Sequence, residues 1–594
     1  MPIFRTGHGP HTLAFLTMTI ALATGWAATA APVSAAELAD PHHTSKLESL
    51  TIHSKLVPGP VEVAILLPPT FAQHKQPHQL LLWLHGGGGS SAYLSRELRP
   101  VVEAAWARGD LPPLVVAVPS ARRSFYMDYR DGTEKWETLL LKELLPLLQS
   151  KYHLRQDREG RFIGGYSMGG MGSLRIVFKH PDRFAAVAAI APAIEPVFRF
   201  DAIHPFDRAY RNNGIYETVY GDPVDQAYWQ ANHPPAIARD RIQVLADSGL
   251  KIYFEVGDAD SLGLYRGGEF LHRLLLKGNV RHEYRLVHGA DHEDATLPAR
   301  LADAVRFLGR TLQAQQAQDD LHGRAKKEVT AHMQRYIELF NEEQSEAIAT
   351  EIYEAPVLLP RPLDELPAIA QTPRALQELY TNIFQSVRSK GWKRSVVHDM
   401  HVHLAGTHMA FVEITFSRLR ANGEAIPPER RIATYIASKR ETGWRLISAS
   451  SQPEPPSAVA QQITRDVKMA MHRYLELLNR EQPSDIAREI YQTPMMIRGL
   501  KDKHRLILMT AAEAGKRLTG ILQTLKTNGW SRFVNHGMHV RIAGTRLALV
   551  NMTSSRVLAD GTAMPPSRTP FSYVWIKRTS GWRMIAVLAQ TQPD

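Results

Sequence analysis

A block of sequence that returns at a fixed distance constrains the C-terminal half of this 594-residue chain more than its composition does. RYIELFNEEQ, beginning at Arg335, comes back as RYLELLNREQ at Arg473. Trp392 returns as Trp530, Met400-His401-Val402 as Met538-His539-Val540, Pro427-Pro428 as Pro565-Pro566, and Gly443-Trp444 as Gly581-Trp582. The offset is the same at every pair, as 392 to 530 and 444 to 582, so the register holds without a gap from Arg335 onward. Two gapless copies must fold alike, and each is long enough to be a whole domain rather than one turn of a solenoid. The expected extents are 328–452 and 463–594, joined by a PEPPSA-containing linker at 451–462.

Each copy opens with an amphipathic helix and closes with alternating strands. Met400, Val402 and Leu404 fall on one face of such a strand and His401 and His403 on the other. His401 and His403 have the spacing of paired metal ligands, but His403 becomes Arg541 in the second copy, so a solvated strand face is expected and no metal site. The order of helix then curved sheet, ending in Gly-Trp-Arg at Gly443 and Gly581, resembles the nuclear transport factor 2-like cone fold. That resemblance implies α+β cone-like domains that bind a ligand, dimerise or anchor the protein; the residues do not choose among these, and no catalytic residue is assigned to them.

The N-terminus has the layout of an export signal. Arg5 precedes an apolar run at 13–23, and Val33-Ser34-Ala35 offers a cleavage site, so 1–36 is expected to be removed. The run is short for a membrane span and no later segment is apolar enough for one. A secreted or periplasmic protein is expected, and the absence of cysteine rules out disulfides and thiolate chemistry. The formal charge of +11 is spread among 59 acidic residues with no basic stripe, which argues against nucleic acid as a partner.

Ahead of the repeats, residues 48–315 alternate apolar runs with helical patterns. Runs at 61–67, 80–85, 114–118, 184–190, 251–256 and 283–287 read as strands, and 136–149 and 171–179 as helices. This alternation predicts a largely parallel, helix-covered α/β sheet. The aromatic and Pro-rich stretch 198–235 is expected as a lid or insertion, and the polar stretch 313–327 as a linker.

Gly165-Tyr166-Ser167-Met168-Gly169 is a G-x-S-x-G pentapeptide. Chance supplies about 0.15 such matches in a chain this long, so the context carries the weight. An apolar strand leads in and a helix leads out, the strand–turn–helix of a nucleophile elbow. A serine hydroxyl needs a base, and the base needs an acid to orient it. Chain order Ser, Asp, His leaves Asp258 or Asp260 after one strand and His288 or His292 after the next. The oxyanion of acyl transfer needs donors, expected from the backbone N–H of Met168 and from the loop His85-Gly86-Gly87-Gly88-Gly89.

The stretch GGYSMGGMGSLRIVFKHPDRFAAVAAIAPA, the SFYMDYRDGTEKWE stretch and the G-x-x-D and G-x-x-H endings are similar to the esterase D and feruloyl esterase-like family of α/β-hydrolases. The likeness covers about 45–312. It implies an α/β-hydrolase fold, Ser167 as nucleophile, Asp260 as acid, His292 as base, and Gly87, with Gly86 the alternative, beside Met168 as the oxyanion hole. Phe125, Tyr126, Trp136 and Trp229 are candidates to line an acyl or aryl pocket, Tyr126 and Trp136 foremost, with core packing as the competing use. The reading is a secreted serine carboxylic-ester hydrolase that needs no cofactor and acts on a small ester or esterified polysaccharide. Acyl transfer by the same triad and an inert, ligand-binding esterase fold are the competing readings, and the repeats are candidates for homo-oligomerisation.

Overall fold

The computed structural model describes residues 45–594 other than 74, 209–213, 361–367, 405, 499–505, 543, 560, 562, 565–568 and 590–594. The export signal expected at 1–36 lies outside the described residues, as do Pro565 and Pro566. Eight strands make the first sheet: β1 (Lys46–His53), β2 (Pro60–Leu67), β3 (Leu80–Leu84), β4 (Val115–Pro119), β5 (Arg161–Tyr166), β6 (Ala186–Ile190), β7 (Lys251–Gly257) and β8 (Glu283–Val287). Their order is β1-β2-β4-β3-β5-β6-β7-β8. The pairs β1/β2 and β2/β4 are antiparallel and every other pair is parallel. Parallel neighbours need crossovers, and the helices that make them cover the sheet. Every residue of β3, β4 and β6 is buried in consequence, which is why these strands read as unbroken apolar runs. This is the α/β-hydrolase fold.

The stretch between β6 and β7 is a small helical insertion with helices Pro205–Arg208, Ile215–Tyr220 and Gln226–Asn232. Phe200, Tyr216, Tyr220 and Trp229 are buried together in it.

Residues 313–327 are not a loop. They are the middle of one helix, Leu297–Asn341, that runs from the first sheet into the first repeat. Leu301, Leu308 and Leu312 bury its beginning in the hydrolase core, and Val329, Met333 and Tyr336 bury its end in the first repeat. Of the residues between, Ala325 alone is buried. Gln, Ala, Lys and Arg are good helix formers, so a stretch too polar to join a core still continues the helix between two cores.

The first repeat holds β9 (Tyr353–Leu359), β10 (Ala368–Ala370), β11 (Trp392–Leu404), β12 (Met409–Arg420), β13 (Arg431–Arg440) and β14 (Gly443–Pro453), in sheet order β10-β9-β14-β13-β12-β11. The second holds β15 (Tyr491–Arg498), β16 (Leu506–Leu508), β17 (Trp530–Ile542), β18 (Leu547–Leu558), β19 (Thr569–Arg578) and β20 (Gly581–Ala589), in the matching order β16-β15-β20-β19-β18-β17. Both sheets bury one face against their own helices. Along β12, Ala410, Val412 and Ile414 point that way, while Met409 and Phe411 point to the opposite face, as a period of two requires. The opposite faces cover each other: Phe411, Ile436 and Ile447 of the first repeat share one buried cluster with Leu549, Val574 and Ile585 of the second. These are equivalent positions in the two copies, so the contact is self-complementary, like that of a twofold dimer. Among the described residues, no helix is long and apolar enough to cross a membrane.

Candidate active site

β5 ends at Tyr166 and the helix Met168–Lys179 begins two residues later, leaving Ser167 alone on the turn with φ 56° and ψ −114°. A side chain at positive φ is strained and persists only where its surroundings enforce it. The flanking glycines are part of that enforcement. A Cβ on Gly165 would lie 2.3 Å from the carbonyl oxygen of Gly169, and one on Gly169 would lie 1.9 Å from that of Leu84. The G-x-S-x-G spacing is thus a packing requirement of this turn.

The loops after β7 and β8 bring an acid and a base to the serine. His292 Nε2 lies 3.0 Å from Ser167 Oγ, and His292 Nδ1 lies 2.9 Å from Asp260 Oδ2. The Asp260 side chain is fully buried, and its other oxygen accepts the backbone N–H of Leu262 at 2.9 Å. Asp258 and His288 pair with each other instead, at 2.8 Å, with the His288 side chain 99% exposed. The His288 imidazole and the Gly289 N–H beside Asp258 hold its carboxyl below the usual carboxylate range. The structure therefore brings Asp260 and His292 to Ser167 and leaves Asp258 and His288 at the surface.

The glycine loop after β3 is held by His85. The backbone N–H of Ala121 donates to its Nε2 at 3.0 Å, so Nδ1 carries the proton and donates to the Gly86 carbonyl at 2.7 Å. Burial pushes this imidazole's pKa down, which keeps it neutral in that tautomer. Gly87, Met168, Ser167 and His292 all line one cavity of about 540 Å³, joined by Phe125 and Arg123. The N–H of Met168 is among the first of its helix, a group with no partner inside the helix.

Two expected pocket residues do not line this cavity. Tyr126 is fully buried, and its hydroxyl donates to the His85 carbonyl at 3.2 Å, so it supports the glycine loop from behind. Trp136 is buried with its indole N–H on Glu134. The reason is local: Phe125 and Tyr126 both have positive φ, and the turn sends Phe125 to the cavity and Tyr126 to the core. Trp229 packs on His233 inside the insertion, none of whose described residues lines the cavity.

Other residues hold the base in place. Tyr166, the second letter of the pentapeptide, stacks on the His292 ring and donates to the His292 carbonyl at 2.9 Å. Asp291 accepts the N–H groups of Ser261 and His292, tying the acid loop to the base loop. Beneath them Arg300 and Glu255 form a buried two-point ion pair at 2.9 and 3.0 Å, and Arg300 also donates to the Asp291 carbonyl at 2.7 Å. None of these roles has a sequence signal except Tyr166, which sits inside the motif. Among the described residues, no group of three His, Cys, Asp or Glu is arranged to hold a metal.

Comparison with known proteins agrees with this architecture. Residues 54–301 match the family model described as "Putative esterase", and 327–454 and 465–592 each match the one described as "NTF2-like protein (DUF6841)". The chain is similar to an acetyl esterase of Caldicellulosiruptor saccharolyticus, 33% identical over 111 residues, which are 18% of this chain and 41% of that protein. It is similar to the diacylglycerol acyltransferase/mycolyltransferase Ag85A of Mycobacterium leprae, 29% identical over 179 residues, 28% of this chain and 51% of that protein. A solved ferulic acid esterase matches at 23% identity with a TM-score of 0.38, covering 46% of this chain and 99% of its own. The chain spans between 38% and 51% of the length of the curated relatives it matches. It is an esterase-family domain followed by two NTF2-like repeats.

Proposed function

We propose that residues 45–312 are a serine carboxylic-ester hydrolase working through an acyl-Ser167 intermediate. Ser167 Oγ attacks the ester carbonyl as His292 Nε2 takes its proton, and Asp260 holds the imidazole in the tautomer that can accept it. The oxyanion takes N–H groups from Met168 and Gly87. The alcohol leaves with the proton from His292, and water repeats the sequence to release the acid. The observation that carries this reading is the unbroken run of contacts from Asp260 through His292 to Ser167, opening on a cavity beside the glycine loop. A fluorophosphonate probe should label the wild-type protein and not Ser167→Ala. A wild type that stays unlabelled overturns the reading.

The substrate we propose is a small ester or an esterified polysaccharide, reaching Ser167 through the cavity of about 540 Å³. Acyl transfer is the second reading, supported by the relatives named as mycolyltransferases. Adding an alcohol acceptor to a product assay separates the two, since a transferase diverts the acyl group from water to the acceptor. The proposed extents of the cone-like repeat domains are 328–452 and 463–594. Export with loss of 1–36 completes the proposal and is checked by N-terminal sequencing of the secreted protein. Homo-oligomerisation through the repeats would have to use surfaces other than the sheet faces that already cover each other.

A further inference from the structure

The first repeat holds a partly open cavity of about 170 Å³ between its helices and its sheet. Phe340, Ile383 and Ile414 supply apolar wall, and Tyr336, Tyr380 and Arg418 supply polar groups. The hydroxyls of Tyr336 and Tyr380 are 3.0 Å apart, and that of Tyr380 is also 2.7 Å from Tyr353. Arg418 is different: it is part buried, and its guanidinium lies over the Phe416 ring, 5.9 Å from the centroid. Its Nε is shielded from solvent and without an acceptor, and among the described residues no carboxylate pairs with its guanidinium. The charge that bears on it is a second cation, Arg431, whose own Nε is also buried without a partner and whose Nη2 reaches only the Pro427 carbonyl, at 2.9 Å. Removing a cation from water without a counter-charge is unfavourable, so two together need a reason.

The second repeat keeps the arginine, as Arg556, and burial lowers its pKa as well, but it lacks the second cation and part of the polar lining. Its equivalent cavity is about 110 Å³. The positions of Tyr380, Ser395 and Ser451 are held there by Leu518, Phe533 and Ala589, and that of Arg431 by Thr569. Arg556, at the position of Arg418, does not line it. The same topology therefore stands with Tyr380, Ser395 and Ser451 replaced by apolar residues, while Tyr336, Tyr435 and Arg418 keep their counterparts Tyr474, Tyr573 and Arg556.

We infer that the cavity of the first repeat binds a small aromatic carboxylate. The guanidinium of Arg418 takes the carboxylate, for which its planar fork is the matching donor. The ring lies among Phe340, Ile383 and Ile414, and the tyrosine hydroxyls meet a polar substituent at the far end. An apolar cavity of about 150 Å³ holds a benzene molecule, so this one takes a single six-membered ring with a short acid group. The site is separate from Ser167 and does not depend on the activity proposed for it.

Calorimetric titration of the full chain with 4-hydroxybenzoate, against neutral benzamide, tests this. Saturable binding of one 4-hydroxybenzoate per chain is expected, with benzamide at least tenfold weaker, on the order of 1.4 kcal/mol. Arg418→Met should weaken the acid at least tenfold, while Ser167→Ala leaves its affinity unchanged. Ser395→Phe imports the side chain of the second repeat, keeps the guanidinium and fills the cavity. It should abolish binding, and it decides the matter if Arg418→Met does not fold. Equal affinity for benzamide, binding that survives both repeat substitutions, loss of binding in Ser167→Ala, or no saturable binding of the acid would each overturn the inference.

Discussion

The Ser167 cavity and the Arg418 cavity belong to one chain and treat their charged groups in opposite ways. Around Ser167 the groups that hold His292 have internal partners: Asp260 with His292, Arg300 with Glu255, Asp291 with two backbone N–H groups. Around Arg418 a cation stands near another cation, and among the described residues no carboxylate is paired with its guanidinium. The difference separates two kinds of site. A reacting centre must have its geometry set before substrate arrives, because orientation is part of the rate. A site that only binds can leave a charge unsatisfied and let the ligand complete it, provided the fold tolerates the penalty in the meantime.

Four substitutions press on that contrast. The largest effect is expected for Asp260→Asn, which keeps shape and loses the charge that orients His292; kcat/KM for an activated ester should fall about 10⁴-fold. Asp258→Asn, at an exposed pair, should change it by less than about twofold. Equal losses from the two would erase the distinction between the inner and outer pairs. Next, Arg300→Met strands the buried carboxylate of Glu255 and should lower unfolding free energy in urea by about 3–5 kcal/mol. Arg418→Met should have the opposite sign, raising stability by about 1 kcal/mol, since it removes a part-buried charge that has no carboxylate partner. A destabilised Arg418→Met would mean that the guanidinium is satisfied within the free protein and that the contrast is false.

The smallest effect concerns the contact between the repeats. Arg541 Nη1 donates to His403 Nε2 at 2.9 Å, so this nitrogen must be unprotonated. Burial, then the charge of Arg541, pushes the pKa of His403 down to about 4. A free histidine titrates near ~6.5. As pH falls the unfolded chain takes up its proton first, so stability present above about pH 6.5 is lost progressively down to about pH 4. His403→Gln keeps an acceptor that does not titrate, and its Tm should fall less than that of the wild type between those limits, by a few °C at most. Parallel Tm curves for the two proteins would show that His403 does not couple the contact to pH.

How much of this is legible in the sequence depends on whether the constraint is local. Ser167 is legible because its turn cannot be built without Gly165 and Gly169. The parallel strands are legible because burial on both faces leaves unbroken apolar runs. Asp258 and Asp260 differ by two positions on one loop, so spacing alone does not choose between them; the family likeness favours Asp260 and the geometry brings Asp260 to His292. Phe125 and Tyr126 are adjacent, and only backbone dihedrals decide which of them reaches the cavity. Arg300 and Glu255 are 45 positions apart and meet through the tertiary fold alone. The stretch 313–327 reads as a linker because polarity usually marks loops, whereas anchoring at both ends makes it helix. The face-to-face contact of the repeats is partly written in the strands, since Leu446 and Ile447 are both apolar and serve opposite faces.

That contact has a consequence for how the two repeats differ. Two separate copies of one repeat, pairing through the same faces, would necessarily carry two identical cavities, and any substitution would appear in both at once. Joined in tandem in a single chain, the pair is no longer bound by symmetry. The paired faces can stay matched, as Phe411 with Leu549 and Ile447 with Ile585 do, while the interiors part company. One copy can then narrow its cavity and line it with apolar groups, leaving the other free to keep a wider and more polar interior. The asymmetry that separates Phe533 from Ser395 is available to this protein because its halves are encoded separately and held together by one backbone.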